Sequence, residues 1–415
     1  MSVLKNKIWL FLLFAAIILL CFFEARGKSD FYIFLSATGD LIRGANFYEN
    51  KYEDGYHYFY SVLFALLLKP FYYLPFFWVK FCWLFFNSLI YLKLFQLLIK
   101  SKLVAMLNEK QKGIFILLVF IFSLRFFLGN IHSSQITILI LGCSVFGLFF
   151  ISNKKPISGA AILALGINIK LLPIVFLPYL IYRGYFKAFF FTVVFYFIYL
   201  FAPSLFLEHN YNISLLKTWL ALINPSNQNH VLDVEERSFH GLSTLLSTLL
   251  VKEVPDVYAL PLKRNIANVT LPTLSAILLL IRLLLVAFTL YFLKLKPLVK
   301  AKNYWQQSIE ISYMLLLIPL IFPHQQHYAF LFMVPAFAII LLYLMLNYSG
   351  ISKNKKIIIM VLLVLIYLSA NLKLLLGTFN NYYEHYKILT YGALLLIPLL
   401  VWINKQIKFN KVEFF

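Results

Sequence analysis

The residue types that do chemistry are scarce in this chain and unevenly placed. Asp30, Asp40, Glu49, Glu53 and Asp54 all fall in KSDFYIFLSATGDLIRGANFYENKYEDGYHYFY, Lys28–Tyr60, and make up five of the 16 acidic residues. The stretch directly follows an apolar run, Ile8–Phe23. A carboxylate at the edge of a membrane is a candidate proton acceptor, because ionisable groups kept beside hydrocarbon are as a rule functional. The groups able to hold an anion are Lys170, Arg125, Arg237, His324 and His327, each in or beside an apolar or aromatic segment. His324 and His327 have an i, i+3 spacing that suits a metal, but no carboxylate lies close to them in sequence. Cys21, Cys82 and Cys143 sit in apolar segments without paired or ligand spacing and read as small buried hydrophobes. No metal, disulfide or cofactor is expected, and neither a Walker loop nor a dinucleotide fingerprint is present.

These residues are carried by a membrane scaffold. A chain of 415 residues that is 62% hydrophobic, 19% aromatic and 13% charged, with mean hydropathy +0.83, has more apolar surface than a soluble core can bury. Its 44 phenylalanines and 27 tyrosines suit lipid-facing surfaces and interface belts, and equally a groove for an isoprenoid tail. The net charge of +21 comes from lysines clustered between apolar runs, where the positive-inside rule places them, so nucleic acid is not an expected partner. Lys5 and Lys7 put the N-terminus in the cytoplasm, and Ile8–Phe23 reads as a retained first span that delivers 28–60 to the outer side. Ser61–Leu74 is too short to cross, is interrupted by Pro70, and is expected to be re-entrant or interfacial. Pro75–Ile99 returns, Gly113–Leu128 goes out, and Gln135–Ser152 comes back. Asn168, Lys170, Pro173 and Pro178 break the run 157–183 into two half-spans. Tyr185–Leu207 leads to a second outer loop, 208–270. Leu271–Leu293, Ile309–Phe322, His327–Asn347, Ile357–Leu376 and Ile388–Ile403 follow, giving about 12 crossings with both termini cytoplasmic. Arg282, in mid-span, is expected to face the bundle interior or a wet cavity; it lies deep for a donor phosphate, and Glu310 is a candidate structural partner.

On this topology Asp30, Asp40, His132, Glu235, Glu236, Arg237, His240, His324 and His327 all face out, and the cytoplasmic loops hold little but lysine. Nucleotide sugars and ATP are not supplied on that side. An enzyme there requires an energy-rich substrate already in the membrane, such as a lipid-linked sugar phosphate.

Three stretches at the start resemble the opening of glycosyltransferase family 87: S-D-F-Y-I-F at Ser29–Phe34, G-x-N-x-Y at Gly44–Tyr48, and Y-S-V-L-F-A-L-L-L-K-P at Tyr60–Pro70. In order along the chain, Gln135 is similar to the family's G-Q turn, Lys170 with Pro173 to its K-x-x-P hairpin, and Pro323–Tyr328 to its histidine-bearing turn. Ser134 stands where the family favours glycine, and Glu236-Arg237-Ser238 where it often has N-Q-S. The resemblance implies an all-α, polytopic transmembrane helix bundle of the GT-C type, with about 11 to 13 membrane segments. It also implies a single integral membrane domain over 1–415 and a place in the inner (plasma) membrane. The implied reaction is inverting transfer of a hexose, mannose in this family, from a polyprenyl-phosphate donor to a glycan or glycolipid acceptor. The general base carries over onto Asp30, whose alternative role is to cap a helix starting at Phe31. His327, Lys170, His324 and Arg125 are the expected donor-phosphate groups, although a surface arginine also snorkels to headgroups. Gln135, Asp40 and Tyr48 are the expected sugar or acceptor contacts, with Asp40, Glu49, Glu53 and Asp54 otherwise forming a solvated face. His132, His240 and Asn227–His230 read as ordinary loop polarity. Two other classes share the composition, a lipid-linked saccharide flippase or transporter and an outer-face saccharide polymerase or ligase. The first calls for internal repeats and the second for chemistry led by arginine and histidine.

Overall fold

The computed structural model describes residues 2–52, 55–224, 231–232, 239–254, 259–293, 297–301 and 303–406. Glu53, Asp54, Asn227–His230, Glu235, Glu236 and Arg237 therefore lie outside the described residues. The described chain is helical, because inside a membrane the backbone must satisfy its own N–H and C=O groups and a helix does so within one segment. Its helices are α1 Ser2–Glu24, α2 Phe31–Ile42, α3 Val62–Leu68, α4 Phe76–Ile99, α5 Glu109–His132 and α6 Thr137–Ser152. Then come α7 Pro156–Ile169, α8 Phe176–Tyr182, α9 Phe186–Phe201, α10 His209–Leu222, α11 Leu242–Leu250 and α12 Leu271–Leu293. The last are α13 Tyr304–Ile321, α14 Val334–Asn347, α15 Lys353–Asn371, α16 Asn380–His385 and α17 Ile388–Gln406. Among the described residues, seven helical segments are long and apolar enough to cross a membrane, and shorter apolar helices such as Val62–Phe71 and Pro156–Ile169 accompany them. The expected break near Lys170 is present, since α7 stops at Ile169 and α8 starts at Phe176 after a short 3-10 turn. The stretches 28–60 and 208–270 are not bare loops, as they contain α2 and both α10 and α11.

The chain divides into two compact units, one of residues 1–96, 127–174 and 186–224, the other of 97–126, 175–185 and 225–415. In the first, α6 and α7 approach so closely that a Cβ on Gly159 would lie 2.5 Å from the Gly147 carbonyl oxygen. Small residues at such crossings let backbones touch and gain dispersion contacts in lipid, where burial alone drives little. An aromatic core of Phe31, Phe34, Tyr60, Phe64 and Trp83 lies under α2, with Phe31 stacked on Trp83 at 5.7 Å and Phe34 edge-on to Tyr60 at 4.9 Å.

In the second unit, Arg183 and Glu310 are both buried and paired through two bonds, Nε to Oε2 at 2.9 Å and Nη2 to Oε1 at 2.5 Å. Tyr179 and Gln306 also donate to Glu310, and Arg183 Nη2 donates to the Leu293 carbonyl. The partner of Glu310 is thus Arg183 and not Arg282, which is half-buried on α12. Arg183 is the C-cap of α8, and its fork also donates to the Val299 carbonyl, the kind of additional hydrogen bonding that compensates a buried ion pair. Cys21 and Cys143 are buried as expected, but Cys82 is exposed on α4.

Candidate active site

The first unit builds its site on the elbow between α1 and α2. Asp30 occupies the N-cap position of α2, but its backbone is helical and its side chain makes no capping bond. The carboxylate instead accepts a hydrogen bond from Gln135 Nε2. Gln135 is buried, and its Oε1 has no hydrogen-bond partner. The turn that presents it requires Ser134 at φ 53°, in the left-handed region that favours glycine. Here the serine is held by a hydrogen bond from Ser29 Oγ at 2.9 Å.

Lys170 follows the last residue of α7 in extended conformation, and its Nζ lies 5.5 Å from the centre of the Tyr60 ring. Asp30 acts electrostatically on both Lys170 and Tyr60. Burial, reinforced by Asp30, pushes the Tyr60 phenol well up, so that ring stays neutral beneath the lysine. The unit therefore brings together Asp30, Gln135, Lys170 and Tyr60.

Asp40 and Tyr48 belong to the same unit but are occupied otherwise. Asp40 is buried rather than part of a solvated face, and accepts from Arg43, from Asn50 Nδ2 at 2.8 Å and from Tyr52 Oη at 2.8 Å. Burial alone would raise its pKa, but the three donors outweigh it and hold the carboxyl below its ordinary value. Glu49 is exposed, as a solvated face requires. Tyr48 is 2% exposed and donates its hydroxyl to the Tyr60 carbonyl at 2.7 Å, which makes it a brace for the aromatic core.

The second unit holds a different polar cluster. Arg125 does not snorkel, because it is 3% exposed and its Nη1 donates to the Ala370 carbonyl at 2.6 Å and to Tyr383 Oη at 2.8 Å. Its Nη2 is buried without a partner. His240, expected to be ordinary loop polarity, is fully buried, with Nε2 2.9 Å from Glu384 Oε2. Glu384 also meets Lys373 Nζ at 2.5 Å. His327 feels Lys373, Arg125, His240 and Glu384 electrostatically, and its Nδ1 is buried and unpartnered. His324 takes a left-handed φ of 56° in the turn before it and rests against Phe239 at 5.4 Å. The cluster thus gathers Arg125 and His327, which the sequence reading named. It adds His240, Lys373, Tyr383 and Glu384, three of which that reading left unmentioned. NNYYEHY carries no motif, and its only signal is a carboxylate in a chain with few of them.

The family model for glycosyltransferase family 87 matches residues 58–303, more than half of the chain. The chain belongs to glycosyltransferase family 87. It is a multi-pass membrane glycosyltransferase. The family 87 match covers Arg125, Gln135, Lys170 and His240; it begins after Asp30, Asp40 and Tyr48 and ends before His324, His327 and Glu384. No curated protein and no solved structure matches the chain.

Proposed function

We propose that the protein is an inverting transferase that moves mannose from a polyprenyl-phosphate donor to a glycan or glycolipid acceptor on the outer face of the plasma membrane. In this reading the whole chain acts as one glycosyltransferase domain, with 28–60 and 208–270 outside and both termini in the cytoplasm. The observation that carries it is the state of Asp30, a carboxylate at a helix start that does no capping and is held instead by a neutral amide. Asp30 takes the proton of the acceptor hydroxyl while that oxygen attacks the anomeric carbon. The bond from that carbon to the phosphate oxygen breaks, and polyprenyl phosphate leaves with the electron pair. A single base suffices because the leaving group is already an anion that a cation can stabilise. Lys170 supplies that cation beside Asp30. The unpartnered Oε1 of Gln135 is an acceptor waiting for a donor, and a sugar hydroxyl is one. The unpartnered nitrogens of Arg125 and His327 keep both as candidates for anion binding. Membership of a glycosyltransferase family favours transfer over the transporter reading.

The test is transfer by purified protein from a short-chain polyprenyl phosphate mannose, without ATP or nucleotide sugar. A β-linked donor should give an α-linked product, and use of GDP-mannose in its place would overturn the reading. Sidedness is tested separately, with the native cysteines removed. A cysteine at exposed Glu49 should react with an impermeant thiol reagent from outside, and cysteines at exposed Lys155 and Asn354 should not. Asp40 and Gln325 are buried and unsuited to such labelling.

A further inference from the structure

Two residues inside the α4 span have no role in the reaction as described. Lys80 is 0% exposed, and its Nζ donates to the Gly27 carbonyl at 2.6 Å. Three residues along, Trp83 donates its Nε1 to the Ser134 carbonyl at 2.9 Å. An i, i+3 pair projects from one face of a helix, so one surface of α4 grips both limbs of the site. Gly27 precedes Asp30 on one limb, and Ser134 precedes Gln135 on the other. Further bonds tie limb to limb, with Ser29 Oγ donating to Ser134 Oγ at 2.9 Å and His132 Nδ1 3.0 Å from Glu24 Oε2.

A lysine in an apolar span is costly and persists where it is satisfied and useful. Lys80 is satisfied by a carbonyl in the bend just past the end of α1, within electrostatic reach of Glu24.

We propose that Lys80 is a positioning residue that, together with Trp83, fixes the elbow carrying Asp30 against the turn carrying Gln135. As a role in transfer this rests on Asp30 being the base, whereas the geometry it claims does not. The catalytic consequence is that the Asp30–Gln135 spacing is set by one rigid helix and not by the loops, and displacements of about 1 Å in such sites cost on the order of 100-fold in rate.

The experiment reads the geometry directly. With the three native cysteines replaced, the pair Ser29→Cys and Ser134→Cys should form a disulfide rapidly under mild oxidation. Adding Lys80→Met should slow closure at least tenfold, and Lys80→Arg should restore much of the rate by keeping a donor. Equal closure rates in the Lys80 and Lys80→Met backgrounds, at equal detergent-extracted yield and Tm, overturn the proposal. If Lys80→Met yields too little protein, Trp83→Phe carries the same test, and an unchanged closure rate there overturns it too. On transfer, Lys80→Met should lower kcat with little change in KM for the lipid donor. Slowed closure together with full activity of Asp30→Asn would leave the clamp standing and remove the base.

Discussion

Asp30 in the first unit and Glu384 in the second are both carboxylates held by neighbours, and the kind of neighbour separates their fates. Asp30 is half-buried and receives a hydrogen bond from a neutral amide, with a lysine within electrostatic reach. Glu384 is 1% exposed and sits against His240 and Lys373. Burial would raise its pKa, but those two neighbours hold it well below the usual carboxylate range. A carboxylate so fixed is a permanent counter-charge among Arg125, Lys373 and His327, and a poor proton acceptor. Asp30, half-buried and hydrogen-bonded by a neutral amide, is the better placed of the two to exchange a proton.

Asp30→Asn should give the largest effect on transfer. Loss of a positioned base costs about 100- to 10,000-fold in rate, and Tm should barely move because the amide can keep the Gln135 contact. Transfer assayed beside thermal unfolding checks both halves, and an active Asp30→Asn breaks the comparison at its root. Glu384→Gln should invert the pattern. Removing one partner from a buried ion pair costs about 3 to 5 kcal/mol of stability, read as a lower Tm. Whatever activity survives should keep its ordinary dependence on donor concentration. A stable Glu384→Gln protein devoid of transfer would mean that the second unit's carboxylate does chemistry.

Lys170→Ala sharpens the same contrast within the first unit. A cation acting on a leaving phosphate in the transition state is worth on the order of 2 to 4 kcal/mol. The loss should appear in kcat and kcat/KM together, and a change in KM alone would make Lys170 a ground-state contact.

The spans were legible because runs of Leu, Phe and Ile punctuated by lysine admit few other arrangements, and Leu271–Leu293 has the same ends in sequence and structure. Asp30 and Gln135 were legible because their neighbours carry a motif. Glu384 was not, since it meets His240 across 144 residues, a separation no local pattern encodes. Lys80 was hidden differently, as one charge in a span scored for its apolar neighbours. The mistaken pairing of Arg282 with Glu310 shows the limit of adjacency along the chain. Arg183 lies 127 positions from Glu310 and is the true partner, because packing and not sequence distance sets which charges meet.

His240 supplies a pH test of the second unit. Burial, aided by the nearby Lys387 and Arg125 charges, pushes its pKa down to about 4 against the pull of Glu384. The unfolded chain takes up that proton near pH 6.5. The stabilisation is therefore complete above about 6.5 and is lost as the pH falls toward about 4. Tm measured across that interval should decline, and His240→Gln should flatten the decline if the protein folds.

The smallest effect is expected at Asp40, a third carboxylate that separates burial from function. It lies in the same unit as Asp30 but is satisfied by Tyr52, Asn50 and Arg43, which makes it resemble Glu384. Its depressed pKa means that the stabilisation is present above the unfolded carboxylate value of about 3.9 and disappears as the pH falls through the lower folded value. Tyr52→Phe removes one of the three donors, at a cost of about 1.5 to 3 kcal/mol for a hydrogen bond to a charged group. With one donor gone the folded carboxyl binds its proton more readily and titrates closer to the unfolded value, so the acid loss of stability should be smaller, and complete at higher pH, than in the parent protein. Transfer at neutral pH should be nearly unchanged, because Asp40 remains ionised and Asp30 keeps its own contacts. A Tyr52→Phe protein that unfolds normally but has lost transfer would move Asp40 out of the company of Glu384 and into that of Asp30.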